Sequence, residues 1–84
     1  MSTTNFNKFF EKISILSEEK DLSALAVDLN DIYESNKKTE LFIKDLLNNP
    51  LNKEELLDKL LEIEMELDHI NWHYRSLKRE VKEL

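Results

Sequence analysis

Glycine and cysteine are missing from this chain altogether, and proline occurs once in 84 residues. Without glycine the chain lacks the usual residue for tight turns at positive φ, which argues against a multi-stranded β-fold. The same absence excludes every glycine-rich loop that cradles a phosphate. Without cysteine there is no disulfide framework, no thiol nucleophile and no thiolate metal site, a composition compatible with a reducing compartment. No stretch is apolar enough to cross a bilayer, and the first twenty residues are interrupted by Glu11, Lys12, Glu18, Glu19 and Lys20, unlike a secretory leader. The expectation is a cytoplasmic protein.

Acidic residues outnumber basic ones by 18 to 12, giving a net charge of −6. Residues 1–20 are neutral as a group, and the remaining deficit divides equally between residues 21–48 and 49–84. An acidic surface repels phosphate backbones and anionic lipid, so direct binding to nucleic acid or membrane is disfavoured. The length is that of one domain, residues 1–84, near the size where a single core is marginal and oligomerisation is a common remedy.

What the chain does have is a 4,3 apolar repeat. Leu56, Leu60, Ile63, Leu67, Ile70, Tyr74, Leu77, Val81 and Leu84 follow it without interruption. The spacing averages about 3.5 residues, so these side chains lie on one seam of a helix that needs partner helices. Asn52 reads as the N-cap, with Glu55 in the capping-box position and Leu51 able to staple onto Leu56. A helix over about 53–83 follows, about 45 Å long. Arg75, Lys78, Arg79 and Lys82 near its end suit the dipole there.

Upstream, Leu22, Leu25, Leu29 and Ile32 keep the same rhythm, which meets Asn36 and Thr39 before recovering at Ile43 and Leu46. With no breaker inside, the reading is one continuous helix over about 22–47, with Asp21 as its cap and two polar residues in its seam. Asn48 or Asn49 stands in for a glycine C-cap before Pro50. The short turn folds the two long helices into an antiparallel hairpin, with Ile32 near Ile70 and Leu22 near Val81. Phe6, Phe9, Phe10, Ile13 and Leu16 mark a shorter amphipathic helix over about 5–16, capped by Thr3 or Thr4. It spans about 20 Å and packs at the hairpin's open end. The expected fold is all-α: a coiled-coil-like hairpin with a third, shorter helix.

Outside the 4,3 seam stand Leu41, Phe42, Leu47, Leu57, Leu61 and Met65, all toward the turn and beyond the reach of the first helix. Apolar surface left over in a small protein marks a partner site. These six residues are therefore the expected contact for an amphipathic helix of another protein or for a second copy of the chain. Trp72 is expected to pack against Phe9 and Phe10. Glu62, Glu66, His69 and His73 share one helix face at spacings of 4, 3 and 4, the one constellation able to chelate a metal. Glu66-x-x-His69 is similar to the helical carboxylate motif of di-iron bundles, but that site needs two such motifs, and the expectation is a solvated polar flank without metal or cofactor. The serines Ser14, Ser17, Ser23, Ser35 and Ser76 fall at capping or exposed positions, and neither histidine has a patterned serine companion. No enzyme and no small-molecule substrate is expected.

The composite reading is a non-enzymatic helical-hairpin interaction module, a small chaperone, adaptor or assembly subunit with an acidic rim. In size, charge and layout, residues 21–84 resemble the small helical co-chaperones that hold type III secretion needle subunits. That resemblance implies a secretion-subunit co-chaperone as one alternative. Another is a small acidic inhibitor of phage type, using the carboxylates of residues 54–68 to block a nucleic-acid-processing enzyme.

Overall fold

The computed structural model describes the backbone of residues 3–84 and the side chains of residues 5–84. It contains three α-helices: α1 (Thr3–Ile13), α2 (Ser23–Asn48) and α3 (Lys53–Lys82), with a 3-10 turn at Ser14–Leu16 closing α1. The expected caps at Thr3 and Thr4 lie outside the described side chains. α2 and α3 pack along their length as an antiparallel hairpin, and α1 lies against α2 without approaching α3. The result is a rod of 54 × 24 × 15 Å with a radius of gyration of 16.1 Å. A compact chain of this length has a radius near 12 Å.

Local chemistry sets the boundaries. Ser17 Oγ accepts from the Glu19 and Lys20 amides, which turns the chain after α1. Asp21 Oδ1 accepts the Ser23 amide at 3.0 Å and the Ser23 hydroxyl at 2.5 Å, so Asp21 opens α2 from one residue before its N-cap, Leu22. These bonds hold the Asp21 carboxyl below its ordinary range. α2 is continuous, as expected of a segment without glycine or proline; at its centre Thr39 Oγ1 donates back to the Ser35 carbonyl at 2.9 Å, a bond helices accommodate. Asn49 closes α2 in extended backbone, φ −121° and ψ 136°, the region Pro50 imposes on its predecessor. The expected left-handed asparagine cap is therefore not used. Asn52 caps α3, accepting the Glu55 amide at 2.9 Å. At the open end, Lys20 Nζ donates to the Glu83 carbonyl, tying the α1–α2 connection to the C-terminus of α3.

The seam is where the structure departs from the apolar pattern. The residues of α3 that are buried or half-buried are Lys59, Ile63, Glu66, Ile70, His73, Ser76, Leu77 and Glu80, which apart from Ser76 are again spaced 4,3. Only Ile63, Ile70 and Leu77 belong to the apolar repeat; Lys59, Glu66, His73 and Glu80 sit one residue before Leu60, Leu67, Tyr74 and Val81. On α2, Asp28, Ser35 and Phe42 are shielded and Ile43 is exposed, while Leu29 stays half-buried. Asn36, expected in the seam, is exposed. Each long helix is thus turned by roughly 50°, half of its 100° step per residue, away from burying its whole apolar stripe. Among the described residues only Leu22, Leu25 and Ala26 are fully buried apolar side chains.

Candidate functional site

Turning both helices brings their polar columns together along the midline. Asp28 and Ser35 are one heptad apart on α2 and face His73 and His69, one turn apart on α3. His73 Nδ1 lies 2.7 Å from Asp28 Oδ1, and its Nε2 lies 3.0 Å from Asp31 Oδ2. His69 Nδ1 lies 2.6 Å from Ser35 Oγ. The two rings meet edge to face at 4.7 Å between centroids, with their Nε2 atoms 3.1 Å apart. Asp28, Ser35 and His73 are each more than nine-tenths buried, whereas His69 opens to solvent. Asn30, also buried, reaches Asp31 Oδ1 through a long 3.5 Å contact.

Toward the open end the network continues as a carboxyl pair. Burial pushes the Asp28 carboxyl up, but hydrogen bonds from Glu80, His73 and Ser76 outweigh it and hold Asp28 below its ordinary 3.8. Burial and the bond to Asp28 raise Glu80 above its ordinary 4.5, against the opposing pull of Ser76 and Arg79. Ser76 Oγ donates to Glu80 Oε1 at 2.6 Å. Asp28 Oδ2 and Glu80 Oε2 are sealed from solvent without another donor. A proton resident on Glu80 and donated to Asp28 satisfies both, the arrangement expected of two carboxyls sharing one site.

Of the four residues singled out for metal binding, the structure brings two together. His69 and His73 converge with Asp31, their ligand atoms within 4.8 Å of one another. Glu62 and Glu66 lie outside that cluster, and Glu62 pairs with Lys59 at 3.5 Å. Asp28, Asp31 and Ser35 were not singled out in the sequence. Their signal is faint but present: polar residues seven apart at Asp28 and Ser35, flanking the apolar column by one position. The reading of Ser35 as a capping or exposed serine is corrected by its burial and its bond to His69. Ser76 is likewise half-buried on Glu80. The Ser35–His69–His73–Asp28 chain resembles a proton relay, but the serine hydroxyl is sealed between helices and cannot meet a substrate in this conformation.

Of the six apolar residues expected to form one patch, five are exposed and Phe42 is half-buried. Phe42 turns into the hairpin, its ring 5.5 Å from the Lys59 ammonium, which also pairs with Asp45 at 3.2 Å. Leu41, Leu47, Leu57, Leu61 and Met65 are exposed. By helical position Leu57 and Leu61 adjoin the displaced stripe of α3, while Leu41 and Met65 lie toward the outer side of their helices. A second exposed apolar set is that stripe: Leu60, Leu67, Tyr74 and Val81 are 48%, 51%, 50% and 53% exposed. Trp72 is 67% exposed and sets its ring at 89° to that of His73, 4.8 Å away. Its expected packing on Phe9 and Phe10 is absent because α1 rides on α2, where Phe9 meets Tyr33 edge to face at 6.1 Å.

Fold and site together define an all-α protein in which a helical hairpin is joined by a buried polar midline and displays an apolar stripe. No protein-family model, curated protein or solved structure matches the chain. Among the described residues, no helix is long and apolar enough to cross a membrane.

Proposed function

We propose that this chain is a non-enzymatic helical interaction module, an assembly subunit that associates through the exposed stripe of α3 with a second copy of itself. The observation that carries the reading is the half-exposed column Leu60, Leu67, Tyr74 and Val81. Together with Leu56, Ile63, Ile70, Leu77 and Leu84 it forms an unbroken coiled-coil seam, of which α2 covers only one edge.

Surface area supports it. The chain exposes 6515 Å² at 10.0 kDa, whereas a compact monomer of that mass exposes about 5,200 Å². The excess exceeds the roughly 800 Å² that each partner contributes to a standard interface. Charge supports the choice of occupant. Beside the stripe, Glu64 and Asp68 precede its midpoint, and Arg75 and Lys78 follow it. An antiparallel pair of α3 helices related by a two-fold axis near Ile70–Asn71 would set Leu60 on the partner's Val81 and Leu67 on the partner's Tyr74. The same axis brings Glu64 to within one residue of the partner's Lys78 and Asp68 to within two residues of the partner's Arg75. One face thus complements itself in both shape class and charge, as an isologous interface requires.

Sedimentation equilibrium over a wide range of chain concentration tests the reading. The expected result is a monomer–dimer equilibrium that Leu67→Lys with Tyr74→Lys abolishes while helical content is kept. Asp68→Arg alone should weaken the dimer, and Asp68→Arg with Arg75→Asp should restore it. A chain that stays monomeric throughout, or a dimer indifferent to these changes, refutes the proposal.

A further inference from the structure

The geometry points to a binding site for one borderline divalent transition ion, Zn2+ or its chemical neighbours, held by His69 Nε2, His73 Nε2 and an Asp31 carboxylate oxygen. The site would pin α2 to α3 at mid-hairpin, on the flank away from the α3 stripe, so it stands independently of the self-association proposed above.

The argument begins with the ring nitrogens that face away from the cluster. Asp28 sits at 2.7 Å from His73 Nδ1 and accepts its proton; Ser35 Oγ sits at 2.6 Å from His69 Nδ1 and can do the same. With Nδ1 protonated on both rings, each Nε2 presents a lone pair, and these lone pairs face each other at 3.1 Å. Asp31 Oδ2 adds a third acceptor 3.0 Å from His73 Nε2. Three acceptors at such separations repel, and a single proton can bridge only one pair of them. One cation at the centre satisfies all three.

The distances suit such a cation. Metal–nitrogen bonds of about 2.0–2.1 Å and metal–oxygen bonds of about 2.0–2.2 Å set tetrahedral ligand edges near 3.3–3.4 Å. The edges of 3.1 and 3.0 Å need to open by only a few tenths of an ångström, and the third edge lies within 4.8 Å. Two imidazoles and a carboxylate favour Zn2+, Ni2+ or Cu2+ over Mg2+ and Ca2+. A carboxylate on the far nitrogen of a ligating histidine, as Asp28 is on His73, is the outer-shell partner such ligands commonly carry. His69 is exposed, which provides an entry path and leaves a fourth coordination position for water.

The test uses the full chain stripped with a chelator and then titrated with Zn2+, read by calorimetry for stoichiometry and by circular dichroism for the thermal midpoint. The expected result is one ion per chain. Because the ligands come from two helices, Zn2+ at 100 times its dissociation constant should raise the folded-to-unfolded ratio about 100-fold. Co2+ should show the visible bands of tetrahedral coordination, and Mg2+ should have no effect. His69→Ala, at the exposed ligand and therefore mild to the fold, should abolish the Zn2+ shift. Asp31→Asn should weaken it, and Ser35→Ala should weaken binding by about 10–100-fold. A parent chain without a Zn2+ shift would mean that a proton alone fills the cluster and would overturn the site. A shift that survives His69→Ala, or one ion per two chains, would overturn it equally.

Discussion

His73 and Tyr74 are neighbours in sequence, and the two registers of α3 assign them opposite roles. If the apolar repeat were the hairpin seam, Tyr74→Ala would cost about 3–5 kcal/mol as a core truncation, and His73 would be a surface residue tolerating change within about 0.5 kcal/mol. The observed packing reverses this. In the isolated chain Tyr74 is half exposed, so at concentrations where the chain is monomeric its truncation should cost about 1 kcal/mol. His73 is buried on Asp28 and Asp31, and His73→Leu strips the compensation from a buried carboxylate whose Oδ2 already lacks a hydrogen-bond partner. Breaking such a pair costs about 3–5 kcal/mol. A domain of this length holds roughly 4–12 kcal/mol in total, and one with so few buried apolar side chains belongs at the low end, so the variant should be largely unfolded at mild temperature. Asp28→Leu with His73→Leu should return to within about 1 kcal/mol of the parent, because an apolar pair replaces the buried ionic one. Urea unfolding followed by far-ultraviolet circular dichroism, in chelator, gives the full double-mutant cycle, with a coupling of at least about 2 kcal/mol expected. A His73→Leu cost below that of Tyr74→Ala would show that the helices are not turned as described.

Two further outcomes follow from other parts of the structure. Glu80 is raised above 4.5 by burial and by Asp28, so its protonated form is favoured in the folded state; that contribution is full below 4.5 and is lost as pH climbs through the raised value. Glu80→Gln donates to Asp28 at every pH, so its thermal midpoint should gain on the parent's as pH rises above 4.5 and through the raised value, and parallel profiles would refute the shared proton. Asn52→Ala removes the acceptor of the Glu55 amide and should cost about 1 kcal/mol in urea unfolding, whereas Asn49→Ala, at an extended cap set by Pro50, should cost less.

The hairpin was legible because its determinants are local. Pro50, the Asn52 cap and an unbroken helical rhythm each act within a few residues, and together they specify two long antiparallel helices whatever their rotation. Rotation is decided between helices. Ile63, Ile70 and Leu77 face α2 in either register, so the apolar pattern holds nothing that selects Tyr74 over His73 as their companion. The choice rests on what α2 offers opposite: Asp28 and Ser35 complement His73 and His69, a fact visible only once two segments about 40 residues apart are set side by side. The polar cluster was half visible for the same reason. The histidines announce themselves by their own spacing on α3, but Asp31 is an ordinary acidic residue on α2 until His73 Nε2 stands 3.0 Å away.

The displaced stripe and the polar midline are two consequences of one rotation. In an antiparallel pair, the positions just beyond the seam on each helix fall on the same side of the two-helix layer, so Leu22, Leu29 and Ile43 of α2 share a side with Leu60, Leu67, Tyr74 and Val81 of α3. α1 covers part of α2, where Phe9 reaches Tyr33. The α3 half has no helix over it. An apolar face wider than a two-stranded seam is what helices carry when they serve more than one neighbour, and here the second neighbour is present for α2 and missing for α3. Buried polar contacts such as Asp28–His73 specify alignment better than they stabilise, so the midline fixes the angle at which the stripe is presented while adding little apolar burial of its own. Under the proposed self-association, the part of the intramolecular core given up to hold an apolar seam outward would be regained against a second α3, whose charges beside the seam complement those of the first.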